Sequence, residues 1–225
     1  MHKYFLVILF LVAPALSMAQ GYGSDRSKTW DFSIGGIYQL ENSAQGQGGS
    51  SLEVDNAYGL GFNLGYNITS HFNVNFDFEF LRPDYKATVV EEAFPPDGNP
   101  GTTETIRHEM QQFNGRLKAT YYFLDGPFVP YIEAGIGWTW LDSNVANGPP
   151  QNFCWWHPWY GYICDSFVDT FDETEASYGG AVGMRFELAN RSFIKASYNL
   201  WELDTSSERA APQLESFRIE YGWRF

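Results

Sequence analysis

Between Phe72 and Phe80 every second residue is apolar and every residue between is an amide or a carboxylate. Phe72, Val74, Phe76, Phe78 and Phe80 alternate with Asn73, Asn75, Asp77 and Glu79. A period of two belongs to a β-strand, whose side chains project alternately to opposite faces. The same alternation recurs at 30–40, 58–66, 113–123, 132–140, 178–188, 194–200 and 217–225, which predicts eight strands. The connections alternate too. Residues 67–70, 124–127 and 189–191 carry Asn, Asp, Gly and Pro where tight turns need them. The other four connections, 41–55, 82–110, 142–174 and 204–213, are long and rich in Gly, Pro, Ser and acids. Short turns at one end and long loops at the other is the layout of a membrane barrel.

Whether the apolar face points in or out separates a soluble sandwich or lipocalin-like barrel from a transmembrane one. The polar faces carry many Gly and several full charges but few Lys, unlike a solvated surface. Tyr and Trp recur near strand ends, where they would form interfacial girdles. Only 18% of the residues are charged, against about 25% in a typical soluble domain. The mean hydropathy of −0.31 argues against a helical membrane protein, which needs about 20 consecutive apolar residues per span. It is compatible with strands that are apolar on one face only. The expected fold is therefore all-β: an eight-stranded antiparallel up-and-down transmembrane β-barrel.

Apolar-out polarity turns the other parity inward. The inward charges are Arg116, Lys118, Arg185, Lys195, Arg218 and Arg224 against Asp31, Asp77, Glu79, Glu133, Glu187 and Glu220, six of each sign. An eight-stranded barrel is narrow enough for side chains to fill it, and unpaired charges there cost several kcal/mol, on the order of the penalty for any buried ion. A balanced set predicts a closed, salt-bridged lumen. The short-turn side holds Asp25, Arg26, Lys28, Asp125 and Arg191, net +1. The long-loop side holds Arg82, Lys86, Arg107 and Arg209 against 19 acids, net −15. This acidity argues against a nucleic-acid partner, which needs a basic footprint. Weak divalent cations are expected to bridge these loops to lipid phosphates; a melting temperature in lipopolysaccharide indifferent to calcium and chelator contradicts that.

The first residues, MHKYFLVILFLVAPALSMAQ, have a basic start, an apolar run broken by Pro14, and small residues at Ser17 and Ala19. This is the pattern of a secretory signal peptide. Cleavage after Ala19 is expected, with residues 1–19 as signal and 20–225 as the barrel domain.

The segment 217–225 is a strand ending in Tyr221, Trp223 and Phe225. It resembles the C-terminal signal by which the barrel-assembly machinery recognises its clients. Together with the export signal, the eight strands and the 126–138 segment GPFVPYIEAGIGW, the chain resembles the small outer-membrane barrels of the OmpA-domain, OmpX and OmpW kind. The resemblance implies a Gram-negative outer-membrane location, both termini periplasmic, a monomer, and contact with outer-membrane lipid and lipopolysaccharide. It implies little about function, because such barrels serve as scaffolds, channels, adhesins and enzymes. A structural or interaction role presenting acidic loops follows best from the balanced lumen. An OmpW-like conduit or binder for small hydrophobic molecules is the alternative, and lipid A modification a third.

One loop stands apart. Cys154 and Cys164, the only cysteines, bracket Trp155, Trp156, His157, Pro158, Trp159, Tyr160, Gly161, Tyr162 and Ile163. In an exported chain so close a pair is expected to form a disulfide, worth about 2–3 kcal/mol by the loop-entropy argument. A metal site is the competing reading, but two Cys and His157 make only three ligands at an unusual spacing. The aromatics have two readings: a self-packed cap over the barrel mouth, or a recognition surface. The 154–164 string also resembles a branch of uncharacterised proteobacterial barrels, which transfers no activity.

Catalysis needs a nucleophile and a base within reach of one another. His71 lies by a short turn, His108 among acids without a nucleophile pattern, and His157 far from an acid until Asp165. The acid pairs Glu91-Glu92 and Asp172-Glu173 read as solvated charge. No catalytic, cofactor or resident metal residues are expected.

Overall fold

The computed structural model describes residues 25–45, 51–90, 103–146, 151–159, 161–167, 170–204 and 213–225. In chain order its strands are β1 (Thr29–Gln39), β2 (Asn42–Gln45), β3 (Ser51–Val54), β4 (Ala57–Asn67), β5 (Phe72–Leu81), β6 (Asp84–Val90) and β7 (Thr103–Glu109). There follow β8 (Gln111–Tyr122), β9 (Phe128–Ala146), β10 (Gln151–His157), β11 (Gly161–Phe167), β12 (Thr170–Glu187), β13 (Ser192–Asp204) and β14 (Gln213–Arg224).

The eight alternating segments become β1, β4, β5, β8, β9, β12, β13 and β14, and they close into one antiparallel barrel. β14 seals it against β1, in register from Asp31 opposite Arg224 to Gln39 opposite Ser216. At the turns, the backbone N–H of Ile68 donates to the Phe72 carbonyl at 2.9 Å. Gly126 sits at φ 133°, a conformation that favours glycine. No helix among the described residues is long and apolar enough to cross a membrane.

Polarity is inverted relative to a soluble protein. Ile136, Ile219 and Leu60 are about two-thirds exposed on the outer wall, while Asp77 and Arg185 are fully buried. Aromatic pairs ring the wall at two levels. Trp30–Tyr66 (5.0 Å between centroids) and Tyr221–Trp223 (4.7 Å) lie near the short turns. Tyr38–Tyr58 (5.0 Å) and Phe80–Phe113 (4.6 Å) lie near the opposite rim. Aliphatic residues such as Ile34, Leu64, Leu117, Val182 and Ile219 fill the band between them, as a bilayer-spanning wall requires. Phe225 is exposed and its backbone is paired with Trp30, so the C-terminal aromatics lie on the outer wall at the seam.

Three of the four long connections depart from the expectation of irregular loops. β2, β3, β6 and β7 form a four-stranded sheet of their own, in the order β2-β3-β6-β7. β9 and β12 run on past their barrel partners. β8 leaves β9 at Asp142 and β13 leaves β12 at Ala176, but β9 and β12 stay paired to Ala146 and Thr170. Beyond them β10 and β11 form a hairpin. The barrel therefore carries two β-structured arms on its long-connection side. On β7 residues 105–109 are all exposed, so both faces of that stretch meet solvent and no apolar period marks it in the sequence.

Candidate functional site

All twelve charged residues assigned inward are buried, and they segregate into two ionic layers. The central layer links eight groups, four of each sign. Arg218 lies at its hub, reaching Asp77 at 2.9 Å, Glu79 at 3.0 Å and Glu220 at 2.8 Å. Arg116 pairs with Glu79 at 2.8 Å. Lys118 contacts Asp77 and lies 2.6 Å from Glu133. Lys195 completes the circuit to Glu133 at 3.1 Å and Glu220 at 3.6 Å. These residues come from β5, β8, β9, β13 and β14, so the network spans the lumen rather than lining one wall.

Amides and hydroxyls serve the remaining lone pairs. Asn114 donates to Glu79 at 2.9 Å, Ser33 to Glu220 at 2.9 Å and Thr120 to Glu133 at 2.9 Å. Glycine makes room for the long chains. A Cβ on Gly137 would lie 2.2 Å from the Gly115 carbonyl oxygen and 2.9 Å from Cγ of Arg116. Arg116 then reaches the Trp201 ring, its guanidinium carbon 4.3 Å from the centroid, although two strands separate their backbones.

The second layer lies toward the short turns. Arg185 binds Asp31 at 2.5 Å and Glu187 at 2.9 Å, and stacks on Phe193 with its guanidinium carbon 3.7 Å from the ring centroid. Arg224 approaches Glu187 at 3.8 Å. The edge-to-face rings of Tyr122 and Tyr131, 5.8 Å apart, lie between the layers, with Lys195 on one side and Arg185 on the other.

Arg26 refines the charge assignment. It lies on the short-turn side, as its place in the sequence implies, yet it is only 2% exposed. It donates to the Ser70 carbonyl at 2.9 and 3.0 Å and to the Leu124 carbonyl at 3.0 Å, lies 3.4 Å from Glu187, and covers the Tyr122 ring. One side chain thus ties two turns to β12 across the end of the barrel. The buried set becomes seven cations against six anions, and Asp125, 3.5 Å away and exposed, supplies the partial complement. Arg26 precedes the first alternating strand, so strand parity gave no handle on it. Strand parity does not identify the inward aromatics Tyr122, Tyr131, Phe193 and Trp201 either. At Tyr121-Tyr122-Phe123 three successive aromatics hide the alternation.

The Arg26 contacts carry a prediction. Arg26→Ala should lower stability by about 1–3 kcal/mol, because it leaves two carbonyls and Glu187 short of a donor. Urea unfolding in detergent checks the magnitude, and faster amide exchange at 68–71 and 124–127 checks the location. Unchanged exchange at both turns would contradict the assignment.

The histidines separate. His71 holds the Tyr122 carbonyl at 2.9 Å through Nδ1 and Asp125 at 3.3 Å through Nε2, a structural role at the turns. His108 is exposed on β7, opposite Tyr85 in register. The His157 side chain lies outside the described residues, as do those of Cys154, Cys164 and Trp155, and all of Tyr160. Outside the membrane span, burial raises the Tyr85 phenol, which donates to the Ser143 carbonyl at 3.0 Å. Hydrogen bonds from the backbone and side chain of Ser27 lower Asp25. Among the described residues no group of three or more His, Cys, Asp or Glu is placed to hold a metal.

Of the described loop aromatics, Trp156, Trp159 and Tyr162 are 72%, 84% and 69% exposed. Glu53 and Lys86 pair at 3.1 Å on the other arm, beside a cavity of about 690 Å³ lined by Asp55, Asp84, Arg107 and Glu109 among others.

An eight-stranded closed barrel, apolar outside and ion-paired inside, defines a transmembrane protein of the outer-membrane class. The chain belongs to the outer membrane protein beta-barrel domain family, which it matches over residues 5–225. A search of curated protein sequences returns no match. Among solved structures it is similar to Ail, the attachment invasion locus protein of Yersinia pestis. That match has 14% identity, covers 88% of this chain and 99% of the other, and has a TM-score of 0.47. Neisserial surface protein A matches at 12% identity, 87% and 95% coverage and TM-score 0.49. The outer-membrane protein AlkL matches at 13% identity, 90% and 92% coverage and TM-score 0.44.

Proposed function

We propose that this outer-membrane barrel is a closed, non-catalytic scaffold whose task is to hold its two acidic arms at the cell surface. The observation that carries this reading is the central ionic layer: eight buried charges, drawn from five strands and paired in a continuous circuit, occupy the lumen. Moving a solute past them means separating ion pairs in a low-dielectric interior, where each uncompensated charge costs several kcal/mol, on the order of a buried-ion desolvation penalty. Arg26 adds a second closure at the short-turn end. Both termini are then periplasmic, after export and loss of residues 1–19, and Tyr221, Trp223 and Phe225 present the assembly signal on the final strand. Liposome swelling tests the reading. Vesicles carrying the protein should swell in small sugars no faster than empty vesicles; sugar-dependent swelling would overturn it.

The paired cysteines fit the same task. Cys154 stands directly opposite Cys164 in the β10–β11 ladder, and opposed residues of an antiparallel pair have Cα atoms about 4.5–5.5 Å apart, within the roughly 4.4–6.8 Å a disulfide spans. The unreduced protein should therefore take up no maleimide, and the reduced protein two. Two maleimides without reductant would show the pair to be free.

A further inference from the structure

The two arms differ in chemistry. The four-stranded sheet carries both signs, with Glu53 paired to Lys86 and Arg107 directly beside it in register. The β10–β11 arm carries one sign only. No Lys or Arg occurs anywhere between Lys118 and Arg185. Within 142–175 stand Asp142, Asp165, Asp169, Asp172, Glu173 and Glu175, and the only basic side chain is His157. Asp172 and Glu173 are exposed on the ribbon that leads to the hairpin.

The hairpin adds aromatic surface to this charge. Trp156 and Tyr162 are direct cross-strand partners and therefore share a face, and Trp159 lies in the connecting turn. All three are more than two-thirds exposed. Isolated exposed aromatics are ordinary, but three together at the end of a structured arm form the kind of patch that marks an interface. The face of an indole or phenol ring carries negative potential and attracts an ammonium or guanidinium. Aromatic faces above a stalk with acids and no lysine or arginine are therefore complementary to a cation, and the stalk repels a phosphate-bearing partner.

We propose that the β10–β11 arm is a docking surface for a lysine- or arginine-rich protein segment. Its basic side chains lie over Trp156, Trp159 and Tyr162, and its remaining charge pairs with the stalk carboxylates. The inference rests on the scaffold reading above and names the partner class that the scaffold presents its arm to.

The test uses the full-length barrel in nanodiscs of zwitterionic lipid, with fluorescein-labelled nona-arginine and nona-glutamate peptides as probes at physiological salt. Fluorescence anisotropy should show saturable binding of nona-arginine and none of nona-glutamate. The triple variant W156A/W159A/Y162A should bind nona-arginine at least about tenfold more weakly, because stacked rings at an interface centre contribute more than diffuse charge. E53Q/D55N, which removes two acids from the other arm, should change binding by less than about threefold, the scale of a screened rim charge. Folding of every variant is checked by its heat-modifiable gel migration. Absence of nona-arginine binding, or equal binding by the triple variant, overturns the proposal. Swelling activity with intact peptide binding would overturn the scaffold reading alone, so the two failures are distinguishable.

Discussion

Arg218→Met is expected to lower the free energy of unfolding by about 3–5 kcal/mol, the range measured when one partner of a buried ion pair is removed. Arg218 is the hub of the central layer, with three carboxylates within 3.0 Å. Methionine fills similar space, so the effect isolates charge rather than volume. Each orphaned carboxylate keeps one other cation: Asp77 has Lys118, Glu79 has Arg116 and Glu220 has Lys195. The layer is then left with four anions and three cations. A second substitution, Glu220→Gln, restores neutrality and should recover about half of the loss or more, on the order of one uncompensated buried charge. Urea unfolding in lipid vesicles checks both. A loss under about 1 kcal/mol for the single variant would mean that water solvates these groups, since an exposed ion pair is worth no more than that.

Ile219→Arg is expected to cost about 2–4 kcal/mol, the measured range for a cation on the lipid face of a barrel at mid-bilayer depth. Ile219 lies on β14 between the Tyr221–Trp223 pair and Phe217, and about two-thirds of it is exposed. In a soluble barrel such a position would accept arginine with little change. Lipid reverses that, because it offers the guanidinium neither water nor a counter-ion. Ile219→Leu serves as the control and should change stability by less than about 1.5 kcal/mol, as volume-conserving apolar swaps do. Equal stability of the arginine and leucine variants in vesicles would place this face outside the bilayer.

The fold was legible because a wall between lipid and an ionic interior forces strict alternation. The Phe72–Phe80 segment could satisfy no other geometry, and it forms β5 within one residue of the expected bounds. The lumen charges were legible for the same reason: once strand parity is set, Arg116, Lys118 and Arg218 have only one side to face. Strand parity does not reach every buried group. Arg26 lies before β1, and its burial depends on turns remote in sequence. On β7 residues 105–109 meet solvent on both faces, so Thr103–Glu109 shows β-branched residues but no apolar period. The hairpin aromatics read from the sequence either as a cap or as a recognition surface, and nothing in one sequence reports that Trp156, Trp159 and Tyr162 are exposed.

Single-channel recording in a planar bilayer tests the closed lumen most directly. The intact ionic layers predict insertion without any stable open level at neutral pH, for the wild type in either polarity of applied voltage. A reproducible, long-lived conductance step from the purified protein would contradict it, because ions would then be passing Arg218 and its three carboxylates.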